Sequence, residues 1–449
     1  VNAGSLWDRV RNRRAGAAGE ASLLSLATQL EALFSFVTVV ALTRTTTVSR
    51  AGEVFFAQAL AAVIFLFTDP RLEDSLQRYA ALLRERGNPG SARTLYVRCF
   101  QLDTAIALGS GAIVALILGA VQPGNHGVFN ATFFALAITN ATLQAPIGSA
   151  TAGFAISGKL LDLGKWRIGI AVVSSAVNVI AIVTGGPAWY LALNAVTTGL
   201  ATIALGIASS RLVAHRYGPA EPIPHGAVPG FVGFTVKSSL ATSVAFASDQ
   251  VLYTAAGAAG GATFLAQYRV ATAPGRFVSA GASPVASVLF PRASSAAARG
   301  DSKEVRDLHE RASRWMAPIA LAITLSAFIA MPVVLPFLYG AKYKSVVVPC
   351  SIFVAAASVR AIVIWSKTIL LAVGRPGLRL FELLLESIVM FGAVVWFAHS
   401  HALLALALVQ LGLAAVVMTW WLALLRWPRL LVMPEPGPVA FATDDVRTA

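Results

Sequence analysis

The chain has 449 residues, of which 57% are hydrophobic and only 12% charged, with mean hydropathy +0.71. Soluble domains carry roughly 25% charged residues. A soluble enzyme or binding module is therefore excluded, and a polytopic membrane protein of about a dozen spans, ~20 residues each, is expected. The formal charge of +14 does not point to nucleic acid, because the basic residues lie in loops between apolar runs, where Lys and Arg set topology.

Residues 1–20 are polar and carry Arg9, Arg11, Arg13 and Arg14. They read as a cytoplasmic segment without a cleavable signal, the first span staying as an anchor. The apolar runs place spans at 21–43, 53–69, 95–121, 129–156, 166–184 and 187–212, then at 231–256, 264–290, 315–338, 346–373, 379–397 and 401–425. The second is helix-compatible onward through Arg71 to Arg86. Pro146, Pro274, Pro284 and Pro332 fall inside spans, where proline removes a backbone donor and kinks the helix. Residues 213–230 hold Pro219, Pro222, Pro224 and Pro229 and read as a stiffened linker between two six-helix bundles, 21–212 and 231–425. Residues 426–449 form a tail.

Outside the spans, only Arg44, Arg50, Lys342 and Lys344 fall on the face opposite the termini. Both termini are therefore expected in the cytoplasm. No external loop is long enough for a domain. Two charged cytoplasmic loops, 69–98 and 292–314, read either as amphipathic segments on an anionic leaflet or as solvated helix extensions. Cys99 and Cys350 lie at the ends of different spans, and the six histidines have no ligand spacing. No disulfide framework, metal site or cofactor is expected.

An internal repeat supports the two bundles. Phe55-Phe56-Ala57-Gln58 opens the second span and Phe264-Leu265-Ala266-Gln267 opens the eighth. Arg86-Gly87-Asn88 and Arg299-Gly300-Asp301 follow those spans at a nearly equal offset. Six spans separate the copies, so the repeats are parallel, related by an axis along the membrane normal.

Further motifs carry a resemblance. They are Ser248-Asp249-Gln250 before the turn of the 231–276 hairpin, Ala266-Gln267-Tyr268-Arg269-Val270-Ala271 after it, and Phe290-Pro291-Arg292 before Arg299-Gly300-Asp301. Leu338-Tyr339-Gly340-Ala341-Lys342-Tyr343, Val373-Gly374-Arg375-Pro376 and, in the first half, Ser75-Leu76-Gln77-Arg78-Tyr79 complete the set. In order and spacing the chain resembles the polysaccharide and oligosaccharide flippases of the multidrug/oligosaccharidyl-lipid/polysaccharide exporter superfamily, which are related to the lipid II flippase. The resemblance implies a flippase moving a polyprenyl-pyrophosphate-linked oligosaccharide across the plasma membrane. Membrane lipids and polysaccharide assembly proteins would be its partners. The lipid II flippases line their first bundle with arginines. Here that bundle carries Glu31 and Asp103 inside spans, and Arg44 and Arg50 only at its outer mouth.

A pyrophosphate needs cations along its path, and the planar fork of arginine suits it. Arg269 and Arg276, and likewise Arg360 and Lys367, are seven residues apart and so share a helix face. These four are the candidate anionic-headgroup residues. The competing reading is internal neutralisation, with Asp249 paired to Arg269 and Lys367 to Glu386, leaving Arg276 and Arg360 near mid-membrane. Lys237 snorkels. Glu31 and Asp249 are candidates for ion coupling or for bridging the bundles. Gln29, Gln58, Asn140, Gln144, Asn178, Asn194 and Gln267 either line a sugar-tolerant cavity or hydrogen-bond between helices.

No Gly-rich phosphate loop, Ser/His/Asp arrangement or metal-ligand cluster is present in the sequence, and the chain is not expected to be an enzyme. The alternatives are a drug or metabolite exporter of the same superfamily, an integral-membrane glycosyltransferase or polymerase, and a scaffold without transport. Short external loops argue against the second, and costly intramembrane charges against the third.

Overall fold

The computed structural model describes residues 3–121, 124–125, 127–228, 230–366, 369 and 376–427. The described residues form helices and their turns. In chain order these are α1 (Ala3–Thr45), α2 (Val48–Thr68), α3 (Leu72–Glu85), α4 (Pro89–Val121), α5 (Ala131–Gln144), α6 (Ile147–Ile156), α7 (Leu160–Tyr217), α8 (Phe231–Ala298) and α9 (Ser302–Tyr339). A 3-10 turn at Ala341–Val346 leads into α10 (Val347–Ile362), α11 (Pro376–His399) and α12 (Leu403–Leu424). Eight helices among the described residues are long and apolar enough to cross a membrane.

Breaks in these helices follow the backbone chemistry of single residues. α7 and α8 are each a hairpin of two spans. Gly186 (φ 74°) breaks α7 and Gly261 (φ 75°) breaks α8, a region that side chains disfavour. Hydrogen bonds across each turn pair the arms: Asn178 Nδ2 donates to Asn194 Oδ1 at 2.9 Å, and the Tyr253 and Thr272 hydroxyls lie 2.9 Å apart. The span expected at 129–156 is two helices, α5 and α6, divided at Ala145–Pro146, as the proline requires.

The second span does not continue through Arg71. Asp69 is extended (φ −79°, ψ 112°) because Pro70 follows it and disfavours the helical region. Arg71 then sits in the left-handed region at φ 44°, and α3 starts anew.

The chain forms two compact units: Val1–Ala273 with Ala330–Cys350 and Val389–Ala407, and Pro274–Ile329 with Ser351–Ile388 and Leu408–Ala449. In the first unit, α3 buries Leu72, Leu76, Tyr79, Ala80 and Leu83 against Leu95, Tyr96 and Cys99 of α4 and Val213 and Tyr217 of α7. Its apolar face is satisfied by protein, so it is neither a leaflet-bound segment nor a solvated extension. The 292–314 loop, in the second unit, is taken up by the end of α8, a turn at Gly300 (φ 75°) and the start of α9. There Val305 packs with Trp365 and Trp421.

α2 meets the second arm of α8 at Gly52, where a Cβ would stand 1.8 Å from the Ala262 carbonyl oxygen. Gly52→Ala is therefore expected to lower stability by about 1–3 kcal/mol through overpacking. Heating followed by size-exclusion chromatography in detergent checks this, and an unchanged melting temperature refutes the close approach.

Candidate functional site

The first unit encloses a cavity of about 760 Å³ among α1, α2, α5, α7 and the hairpin of α8. Glu31, Gln58, Asn140, Asn194, Gln250 and Arg269 are among its lining. Gln144 and Asn178 line it as well. The amides do both things the sequence suggested. Asn178 donates to Asn194, whose Nδ2 donates to Asn140 Oδ1 at 3.0 Å, and Gln58 Nε2 donates to the Tyr190 hydroxyl at 2.9 Å. The wall is thus polar yet held in place by its own hydrogen bonds. Gln29 and Gln267 do not line it.

Arg269 is the candidate headgroup residue that reaches this cavity. Its guanidinium lies over the Phe55 ring at 4.6 Å and the Tyr253 ring at 5.3 Å, positions that stabilise a cation away from bulk water. The α8 hairpin carries Arg269 and Tyr253 on facing arms, so the turn at Gly261 builds this clamp. The Asp249 side chain, its expected partner, lies outside the described residues, as do the Lys237 side chain and Lys367.

Glu31 is paired within its own half of the chain. Arg167 Nε donates to Oε1 at 2.7 Å and its Nη2 donates to Oε2, a two-pronged pair. The arginine that Glu31 meets is thus one of the first half, Arg167. Arg44 and Arg50, the cations expected at the outer mouth, do not take part in this pair. Those two are engaged locally: Arg44 lies 6.0 Å from the Phe337 ring, and Arg50 lies over Phe133 at 4.4 Å and pairs with Glu53 at 2.8 Å.

The cavity also takes in Asp69, Arg71 and Glu73, where α2 gives way to α3. The Arg71 N–H donates to Asp69 Oδ1 at 3.0 Å, which supports the left-handed turn. Burial pushes the Glu73 carboxyl above the usual carboxylate range, and the nearby Asp69 and Asp74 charges act in the same direction. One signal for this trio is legible without the fold: the Asp69-Pro70-Arg71 step, where a helix has to stop.

The other headgroup candidates lie in the second unit. Arg360 does not stand alone: its Nη1 pairs with Glu386 Oε1, joining α10 to α11. The pairing expected between Glu386 and Lys367 falls outside the described residues, because Lys367 does. Arg276 is exposed on α8, one residue after Gly275, where α8 approaches Phe353 and Ala357 of α10. Among the described residues no group of His, Cys, Asp and Glu could hold a metal ion.

Residues 92–348, more than half of the chain, match the family described as polysaccharide biosynthesis protein. No curated protein matches by sequence. Among solved structures, an inward-facing multidrug resistance MATE family transporter of the MOP superfamily is 13% identical, with TM-score 0.59 over 88% of this chain and 95% of that one. The Vibrio cholerae MATE transporter VcmN in its bent form is 14% identical, with TM-score 0.59 over 93% and 99%. A MOP superfamily transporter from Pyrococcus furiosus, described as having a binding pocket of reverse polarity, is 14% identical, with TM-score 0.54 over 91% and 96%. At these identities the likeness is one of fold: all-α and multi-pass, with the twelve spans in two bundles that the sequence predicted. With that fold and the match over residues 92–348, the chain belongs to the polysaccharide biosynthesis protein family.

Proposed function

We propose that the protein is a flippase that carries a polyprenyl-pyrophosphate-linked oligosaccharide across the plasma membrane by alternating access, for polysaccharide or cell-envelope assembly. The observation that carries this reading is the 760 Å³ cavity, which sets Arg269 beside a fixed wall of side-chain amides. Sugar hydroxyls exchange hydrogen bonds with amides, and a pyrophosphate accepts two from one guanidinium. The polyprenyl tail stays in lipid. Both termini face the cytoplasm, and Arg276 is a second headgroup contact. No chemical step is required, so the protein is not an enzyme.

A second reading, a drug exporter of the same superfamily, is favoured by one observation: Glu31, Asp69 and Glu73 line the same cavity and offer oxygens to a cation. Depletion in a polysaccharide-producing host separates the two. The flippase reading expects lipid-linked oligosaccharide to accumulate on the cytoplasmic leaflet with unchanged sensitivity to toxic cations. Unchanged lipid-linked sugar together with raised cation sensitivity would replace it by the exporter reading.

A further inference from the structure

Asp103 lies on α4 and is only 1% exposed. The fully buried Ser149 of α6 donates its hydroxyl to Asp103 Oδ2 at 2.7 Å. The other oxygen, Oδ1, is buried and has no hydrogen-bond partner among the described residues. The charged groups that act on this carboxyl are Asp69, from the end of α2, and Glu73, from α3; both are acids. Cys99, a buried thiol, lies one turn away on α4 itself. An isolated carboxylate in apolar surroundings costs far more than a protonated one, and two acidic neighbours widen the difference.

A route joins this carboxyl to the cavity. Glu73 lines the cavity. Its Oε2 stands 2.9 Å from the place a Cβ would take on Gly148, the residue before Ser149. The glycine lets the Glu73 carboxyl come against the backbone of α6 one residue from the serine. Burial raises the Glu73 carboxyl's pKa, and a carboxyl that faces cavity water can exchange a proton with it.

We propose that Asp103 is a proton-binding site that exchanges its proton with the cavity through Ser149 and Glu73. On binding, an O–H bond forms at the Asp103 carboxylate as the Ser149 hydroxyl releases its proton to it. Ser149 regains a proton from the Glu73 carboxyl, and Glu73 takes one from a hydronium ion of the cavity, which leaves water. No electron moves, and the net event is uptake of one proton from the aqueous cavity. Coupling of this uptake to substrate movement rests on the flippase reading; the proton site itself does not.

The test uses the full-length protein in lipid nanodiscs and infrared difference spectroscopy across a pH titration. The wild type is expected to show a protonated-carboxyl C=O band at neutral pH that disappears on alkalinisation. Asp103→Asn, nearly isosteric with the neutral acid, is expected to lose that band. Ser149→Ala is expected to keep it to higher pH, because the carboxylate has lost its donor. A wild-type spectrum without the band overturns the proposal, and so does an undiminished band in Asp103→Asn. Should Asp103→Asn fail to fold, an unshifted titration in Ser149→Ala overturns it instead. A strain that accumulates no lipid-linked sugar on depletion sinks the flippase reading and leaves the infrared result standing.

Discussion

Cells that depend on Arg269→Met protein will accumulate lipid-linked oligosaccharide on the cytoplasmic leaflet, with the protein present in the membrane at a normal level. Methionine fills the space between the Phe55 and Tyr253 rings but removes the charge and the five donors of the fork. A charge-assisted hydrogen bond contributes about 1.5–3 kcal/mol, so headgroup affinity is expected to fall roughly 10- to 100-fold by that measure. Arg269→Lys is the informative companion. It keeps the charge and loses the planar stacking and the paired donors, and intermediate export is expected. Full complementation by Arg269→Met would remove Arg269 from the substrate path. Loss of protein from the membrane would mark its contacts with Phe55 and Tyr253 as a structural clamp.

Arg360→Met will destabilise the second unit, whereas Arg360→Met combined with Glu386→Gln will recover most of the loss. The Arg360–Glu386 pair joins α10 to α11, and the Glu386 side chain is 15% exposed. Removing one partner of a fully buried pair costs about 3–5 kcal/mol, whereas removing both charges is often neutral; the Arg360 side chain is 31% exposed, so a smaller loss is expected. The coupling is read as a double-mutant cycle from thermal unfolding in detergent. If Arg360→Met were as stable as wild type yet failed to support export, Arg360 would return to the substrate path and the pair would be incidental.

The reach of sequence reading can be followed residue by residue. The spans were legible because bilayer thickness sets their length, and Pro146 and the Gly257–Gly261 region were legible as breaks because one residue decides the backbone there. α3 was not legible. A 14-residue amphipathic stretch has the same pattern whether its apolar face meets lipid or, as here, α4 and α7. The Arg360–Glu386 pair was not legible for a related reason. Depth could be estimated from position along the span, but the rotation of each helix about its axis could not, and rotation chose Arg360. Arg167 was missed as the partner of Glu31 because it was counted as a span-edge cation, a place where arginine ordinarily serves topology. The amides were recognised as polar positions, and their dual use as wall and fastener needed the fold.

The end of α1 has a consequence for the order in which the protein can be made. Its last carbonyls, at Arg44 and Thr46, are met by the ammonium of Lys342, and its Phe36 ring packs edge-on to Tyr339 at 6.0 Å. Terminal carbonyls of a helix need partners from outside it, and a cation suits that end. Nearly three hundred residues separate the two sides of this contact. α1 therefore cannot complete this end until the segment that carries Lys342 has been made and inserted. Chains released before Lys342 would keep that end open and be recognisable to quality-control proteases, so truncation just before residue 342 should shorten the lifetime of the membrane-inserted fragment more than truncation just after it.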